Sequence, residues 1–440
     1  MAEISLYTQG LLDFIEASPT PFHCSRSLKN KLEAAGFVSL KERDFWTLEK
    51  GGKYMVFRQD SSVCAFILGT EAPQNSGIRL VGAHTDSPNL RLKPNASYVN
   101  CGYIQLGVEV YGGVLLSSWL DRDLSIAGRV LLRTPEGRQK PRLIRIDRPI
   151  ARIPQLAIHL NRNVNEDGLK LNKQLHLPPV LGMSLKELNL EEVLSLAGEP
   201  VSELVSYDLQ LFDTQKPVLA GLNQEFIYAP RLDNQAMCYA GMEALISSAS
   251  RKTKHTRVLV CFDHEEVGSV SSQGGNSTFV RDILERLVTS EANPQESYFR
   301  SVAKSFFISA DMAHATHPNY PELHEPRHQP LINQGPVVKT SHNQRYASNG
   351  ETVGIFLELC NIAKVPSQHL VSRTDLSCGS TIGPMTTAKL GIRGVDVGSP
   401  MLSMHSIREM AGTQDTDSMI KVFALFFEID ELPIEEESCL

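Results

Sequence analysis

The sequence predicts an α/β protein: a mixed central sheet with helices on both faces, plus an inserted β-rich domain. Three observations predict it. Over residues 1–94 and 226–440, apolar runs of strand length alternate with longer stretches of helical periodicity. Those runs are apolar at successive positions, as in strands covered on both faces. Between them, residues 95–225 are rich in strand-like segments separated by turn residues, with one short helical stretch.

In chain order, LLDFIEA and LKNKLEAAGF predict helices near the start, followed by strands in KYMVFRQDSSVCAFILG and IRLVGA. PNASYVNCG then leads into the insert. There YIQLGVEVYGGVLLSSWL, AGRVLLR and PRLIRIDRPI read as strands and SLKELNLEEVLSLAG as the short helix. NQEFIYAPRLDN leads back out. Helices follow over 233–250, 280–292, 351–365 and 419–432, separated by the strands RVLVCF, KSFFISA and GIRGVDVG. The expected domains are therefore 1–94 with 226–440, and 95–225.

The 440 residues are 42% hydrophobic and 21% charged, the make-up of an ordinary globular protein. With 43 basic and 50 acidic side chains the net charge is −7, which argues against a nucleic-acid or anionic-membrane partner. One local exception, 138–152, carries Arg142, Arg145, Arg148 and Arg152 but no aromatics for base stacking. It reads as a strand pair with a solvated or subunit-facing side. The eight cysteines show no CxxC spacing, and several sit inside apolar runs as small hydrophobes. The N-terminal stretch mixes acids with its apolar residues, unlike a signal peptide, and no segment approaches the ~18 apolar residues of a membrane span. The expected compartment is the cytoplasm.

The chemistry gathers at the ends of the apolar runs. IRLVGA ends in His84-Thr85-Asp86, RVLVCF in Asp263-His264-Glu265-Glu266, and KSFFISA in Asp311. GVDVGSPMLSM ends in His405, and Asp233 opens a helix just after the insert. In open α/β sheets, ligands bind beyond the carboxyl ends of the strands, so these groups are placed to converge. Histidine and carboxylate without cysteine suit Zn²⁺, Mn²⁺ or Co²⁺. Taken singly, each also suits a structural role: a hydrogen-bonded histidine, an N-capping Asp233, a solvated glutamate pair. Repetition across the runs favours the metal.

The motifs VGAHTDSPNLRLKP, RLDNQAM, DHEEVGS, SADMAHATHPNY and SPMLSMHSIREMAG, in that order, resemble those of the aspartyl aminopeptidases, and the likeness extends through AIHLNRNVNEDG in the insert. The resemblance implies a zinc exopeptidase-like fold and two metal ions bridged by Asp233. His84 and Asp311 would complete one site, and Glu266 and His405 the other. Glu265 would be the general base and Asp86 the partner of His84. The resemblance also implies peptide substrates with acidic N-terminal residues, anchored through Lys339 with His342 nearby. His159 would reach a neighbouring subunit's site within a homo-oligomer, a tetrahedral dodecamer in that family. The Tyr111-Gly112-Gly113 turn and the basic 138–152 strands are expected at subunit interfaces. The alternatives are a metal-dependent amidase or deacylase acting on N-acyl amino acids, and a non-catalytic metal-binding scaffold.

Overall fold

Apolar strand runs set the architecture. In the computed structural model, which describes residues 4–184, 186 and 189–434, the runs Thr256–Phe262, Ile78–His84, Phe306–Ala310 and Arg393–Gly398 lie side by side and parallel. Every residue of the first three is buried, so these strands have no polar face. On one flank the antiparallel pair Lys53–Arg58 and Ser62–Ile67 continues the sheet to the edge strand Val38–Leu40. On the other, Val337–Thr340 runs antiparallel to Arg393–Gly398 and parallel to Gln368–Val371, giving a mixed sheet of nine strands.

Helices cover both faces. Leu6–Ala17, Pro21–Ala34, Leu232–Ser248, Gly350–Ala363 and Thr413–Glu428 pack their apolar sides on one. Phe279–Arg286, Pro294–Ala303 and Ile382–Leu390 pack theirs on the other. Leu232–Ser248 is apolar nearly all round because it is buried on all sides, between the sheet and Thr413–Glu428. The helix expected over 280–292 stops at Arg286. Pro294–Ala303, with Pro at its first turn and Asn293 as cap, and Ile382–Leu390, capped by Thr381, were not expected from periodicity. The second of these begins inside CGSTIGP.

A second, antiparallel sheet runs in the order Gln139–Arg145, Leu124–Arg133, Leu204–Asp213, Asn89–Asn100, Tyr103–Tyr111, Val180–Met183. It has its own apolar cluster, including Trp119, Ile126, Val130 and Leu211. The strand Asn89–Asn100 crosses the expected boundary at 94/95. Asn95 is left-handed (φ 52°) and the pairing shifts between Leu92 and Ser97, so PNAS is a bulge inside one strand. The expected helix within 184–198 is reduced to Leu190–Leu194 and a following 3₁₀ turn. Residues 185, 187 and 188 lie outside the described residues, as does Cys439.

A small third sheet, Val218–Ala220, Phe226–Ala229, Glu409–Gly412, Pro400–Leu402, Ala313–His314, ties together the segments around Asp233, Asp311 and His405. Among the described residues no helix is long and apolar enough to cross a membrane.

Candidate metal centre

The parallel strands end at one edge. Phe262 is in register with His84, so the glutamates and the histidine emerge together. His264 turns the chain with a left-handed φ of 63°, and a 3₁₀ turn, Glu265–Val267, closes at Gly268 (φ 95°). Asp86 holds that turn: its Oδ1 accepts the Glu265 N–H at 3.2 Å and its Oδ2 the Glu266 N–H at 3.1 Å. Tyr111 donates its hydroxyl to the same Oδ2 at 2.7 Å. His84 donates Nδ1–H to the Asp86 carbonyl at 3.0 Å, with Asp86 Oδ1 at 3.4 Å. That fixes the tautomer and leaves the Nε2 lone pair facing the opposite way.

Nε2 faces carboxylates. Asp233 and its cis-bonded neighbour Asn234 depart from helical geometry at the start of Leu232–Ser248, and the Asp233 carboxylate lies between two histidines. Its Oδ1 is 3.4 Å from His84 Nε2 and its Oδ2 3.4 Å from His405 Nε2. Asp311 Oδ1 lies 3.6 Å from His84 Nε2, and Glu266 Oε2 lies 3.3 Å from His405 Nε2. His405 has a left-handed φ of 68° and donates Nδ1–H to the Gly113 carbonyl at 3.0 Å. The structure thus brings His84, Asp233, Glu266, Asp311 and His405 together. Donor atoms of His84, Asp233 and Glu266 all lie within 4.8 Å of one another.

These residues fit a divalent ion. Two ligand atoms at about 2.0–2.1 Å from one tetrahedral ion stand about 3.3 Å apart, close to the separations seen here. Two buried oxygens, Asp233 Oδ1 and Glu266 Oε1, have no hydrogen-bond partner among the described residues. With each histidine Nδ1 engaged as donor, Nε2 is free to face the carboxylate oxygens, an arrangement that a bound cation or a ring proton satisfies. The electrostatics agree. Burial, joined by the charges of Asp311, Asp86 and Asp233 and opposed by His84, pushes the Glu265 carboxyl up to about 8. Glu266 is raised well above the usual range, by burial and then by Asp233. Burial opposes a proton on His84, yet contacts from Asp233, Asp311 and Asp86 outweigh it and raise its pKa.

The centre floors a cleft of about 400 Å³ whose walls include Met312, Met385, Met404 and Tyr346. Lys339, from Val337–Thr340, is its only lysine or arginine among the described residues. It is buried, 3.4 Å from Asp311 Oδ2, and donates to the Met312 carbonyl at 3.1 Å. His342 is exposed in the following turn, outside the cleft lining. His159 also lies outside it, in an exposed turn beside outward-facing Leu156, Ile158 and Leu160. A larger groove, about 960 Å³, lies between Pro21–Ala34 and Gln139–Arg145, away from these residues.

Tyr111-Gly112-Gly113, expected at a subunit interface, makes contacts within this chain to Asp86, Glu266 and His405. Buried Glu409 is not among the expected site residues: its Oε1 accepts the His405 N–H at 2.8 Å and its Oε2 the Asp233 N–H at 3.1 Å. Its only signal was a carboxylate placed in the short strand EMAG.

A histidine–carboxylate cluster at the carboxyl edge of a mixed sheet, opening on a cleft, is the build of a metal-dependent hydrolase. Residues 14–427 match the family described as aminopeptidase I zinc metalloprotease (M18). The probable M18 family aminopeptidase 2 of Pseudomonas savastanoi pv. phaseolicola is 49% identical over 431 residues, covering 96% of this chain and 98% of its own. A chain in the structure of the Ape4 and Nbr1 complex superposes with a TM-score of 0.92 at 38% identity, covering 96% of this chain and 85% of that one. The Saccharomyces cerevisiae mApe1 dodecamer gives 0.83 at 29%, covering 96% of each chain. The chain belongs to the M18 family of zinc metallo-aminopeptidases.

Proposed function

We propose that this aminopeptidase removes acidic residues from peptide N-termini with two divalent ions, Zn²⁺ in the first instance, held around Asp233. The observation that carries the reading is the Asp233 carboxylate, each oxygen 3.4 Å from a different histidine. Asp311 joins His84 on one side, and Glu266 joins His405 on the other. When bound, the ions would supply Lewis acidity to the scissile carbonyl and lower the pKa of the attacking water. The chain's own groups do the rest. Glu265, whose carboxyl has a raised affinity for protons, takes one from that water and passes it to the leaving amine. Asp86 holds both glutamate N–H groups and the His84 ring in place.

With Asp311 engaged at an ion, the Lys339 ammonium is left to receive the substrate's β- or γ-carboxylate, while His342 stands outside the cleft lining. The exposed apolar turn around His159 is suited to docking on another copy, where His159 would steady the oxyanion. The dodecameric state of the yeast relative supports a homo-oligomer. The reading places the enzyme in the cytoplasm.

The test is zinc analysis coupled to hydrolysis of Asp, Glu, Leu and Lys anilides by the wild type and Lys339→Ala. Two ions per chain and a loss confined to acidic substrates are expected. Equal losses on all four would move the specificity elsewhere. Cleavage of N-acetylated substrates, with the free amines refused, would replace the reading with the deacylase alternative.

A further inference from the structure

Segment 111–118, which leads out of the second sheet, makes a series of contacts that reach the Glu266–His405 side of the centre, directly or through Asp86. Tyr111 OH donates to Asp86 Oδ2, the oxygen that also accepts the Glu266 N–H. Gly112 (φ 75°) lies so close to Glu266 that a Cβ there would stand 3.1 Å from the Glu266 Cβ and 3.2 Å from its carbonyl oxygen. The Gly113 carbonyl accepts the His405 Nδ1–H at 3.0 Å. Beyond it the Leu115 N–H donates to the His405 carbonyl at 3.1 Å, and Ser118 Oγ accepts the Ile407 N–H at 3.0 Å. His405 is therefore gripped at its ring and at its backbone by chain from the inserted sheet. On the other side, His84 and Asp311 are carried directly by strand ends of the central sheet.

The geometry points to Tyr111–Ser118 as a positioning clasp for one of two metal sites, the one formed by Glu266 and His405. The inference rests on the two-ion reading above. The clasp contacts Asp86, Glu266, His405 and Ile407. It fixes the His405 tautomer so that Nε2 faces Asp233 and Glu266, and it fixes where the Glu266 backbone runs. Partners of this kind typically change metal affinity by about 10- to 100-fold. It follows that the inserted sheet and the occupancy of that site are coupled: whatever shifts the first displaces a ligand of the second.

Gly113→Ala tests the ring contact with little backbone cost, because Gly113 lacks a left-handed φ and its new methyl would stand 3.0 Å from His405 Nδ1. Tyr111→Phe tests the Asp86 arm without changing shape. Zn²⁺ affinities of the intact enzyme are measured by competition with a chromophoric chelator, and the visible spectrum is recorded after Co²⁺ substitution. In each variant one of two ions should bind about 10- to 100-fold more weakly. The other affinity should hold, the metal-free protein should still unfold in one cooperative transition, and about half of the Co²⁺ absorption should persist at limiting metal. A wild type that binds a single ion removes the two-ion reading beneath the inference. A two-ion wild type whose variants bind both ions as tightly, or lose both equally, overturns the clasp itself.

Discussion

Asp86→Asn probes how the glutamate turn is held, and the structure sets its size. The carboxylate is fully buried and accepts on both oxygens: Glu265 N–H at Oδ1, Glu266 N–H and the Tyr111 hydroxyl at Oδ2. An asparagine keeps one acceptor and gains a donor. With its NH₂ in the Oδ1 position, that donor would oppose both the Glu265 N–H and the His84 Nδ1–H, which is 3.4 Å away. With the NH₂ in the Oδ2 position, the Tyr111 hydroxyl rotates to accept it and only the Glu266 N–H is stranded, so this orientation wins. A hydrogen bond to a charged group is worth about 1.5–3 kcal/mol. At about 1.4 kcal/mol per tenfold, zinc bound by Glu266 should weaken roughly 10- to 150-fold. Chelator competition reads the affinity, and turnover of an aspartyl anilide at saturating zinc reads the residual effect. The rotated hydroxyl adds a second check: Tyr111→Phe should cost more in the Asp86→Asn background than in the wild type. Unchanged zinc affinity, or strictly additive effects, would refute the reasoning.

Glu265→Gln should leave metal content and KM in place while kcat falls about 10²- to 10⁴-fold, since only proton transfer is lost. Retained turnover would reassign the base. Mixed assemblies of His159→Ala with Glu265→Gln subunits should recover activity that neither variant shows alone, because some sites then combine an intact base with a neighbour's histidine. No recovery in verified mixtures would confine His159 to a structural role. Stability should fall in mild acid. Buried His255 donates Nε2–H to the Phe427 carbonyl, and burial, with the Arg79 and Arg257 charges, pushes its pKa from 6.5 down to about 4. The folded chain keeps it neutral while the unfolded chain protonates near pH 6.5. Its contribution is therefore intact above that pH and is lost as the pH falls towards 4, on the order of 3 kcal/mol. Urea midpoints at pH 7 and 5 should differ by less in His255→Gln; an identical difference would exclude His255 as a source.

What the sequence made legible followed from strand ends. Parallel strands finish at one edge, so an acid or imidazole ending each apolar run could be placed in common space, and His84, Glu266 and Asp311 lie there. The roles came from motif resemblance, because spacing alone cannot separate Glu265 from Glu266. Glu409, Tyr111 and Gly113 were hidden for another reason. Their contacts with Asp233, Asp86 and His405 span tens to hundreds of residues, and Gly113 acts through a carbonyl that every residue type carries. Lys339 was legible as a cation, while its pairing with Asp311 depends on strand register and was not. PNAS misled because Asn95 marks a bulge with the same residue types that mark a linker.

The third sheet has a consequence for the timing of activity. It joins residues near 229, 313 and 400 to the strand Glu409–Gly412, and His405 follows His84 by more than 300 positions. A polypeptide still being synthesised, with that stretch not yet made, lacks both His405 and the strand that closes the third sheet, so the cluster around Asp233 cannot form. On the reading proposed above, an unfinished copy carries no complete centre until translation has passed His405.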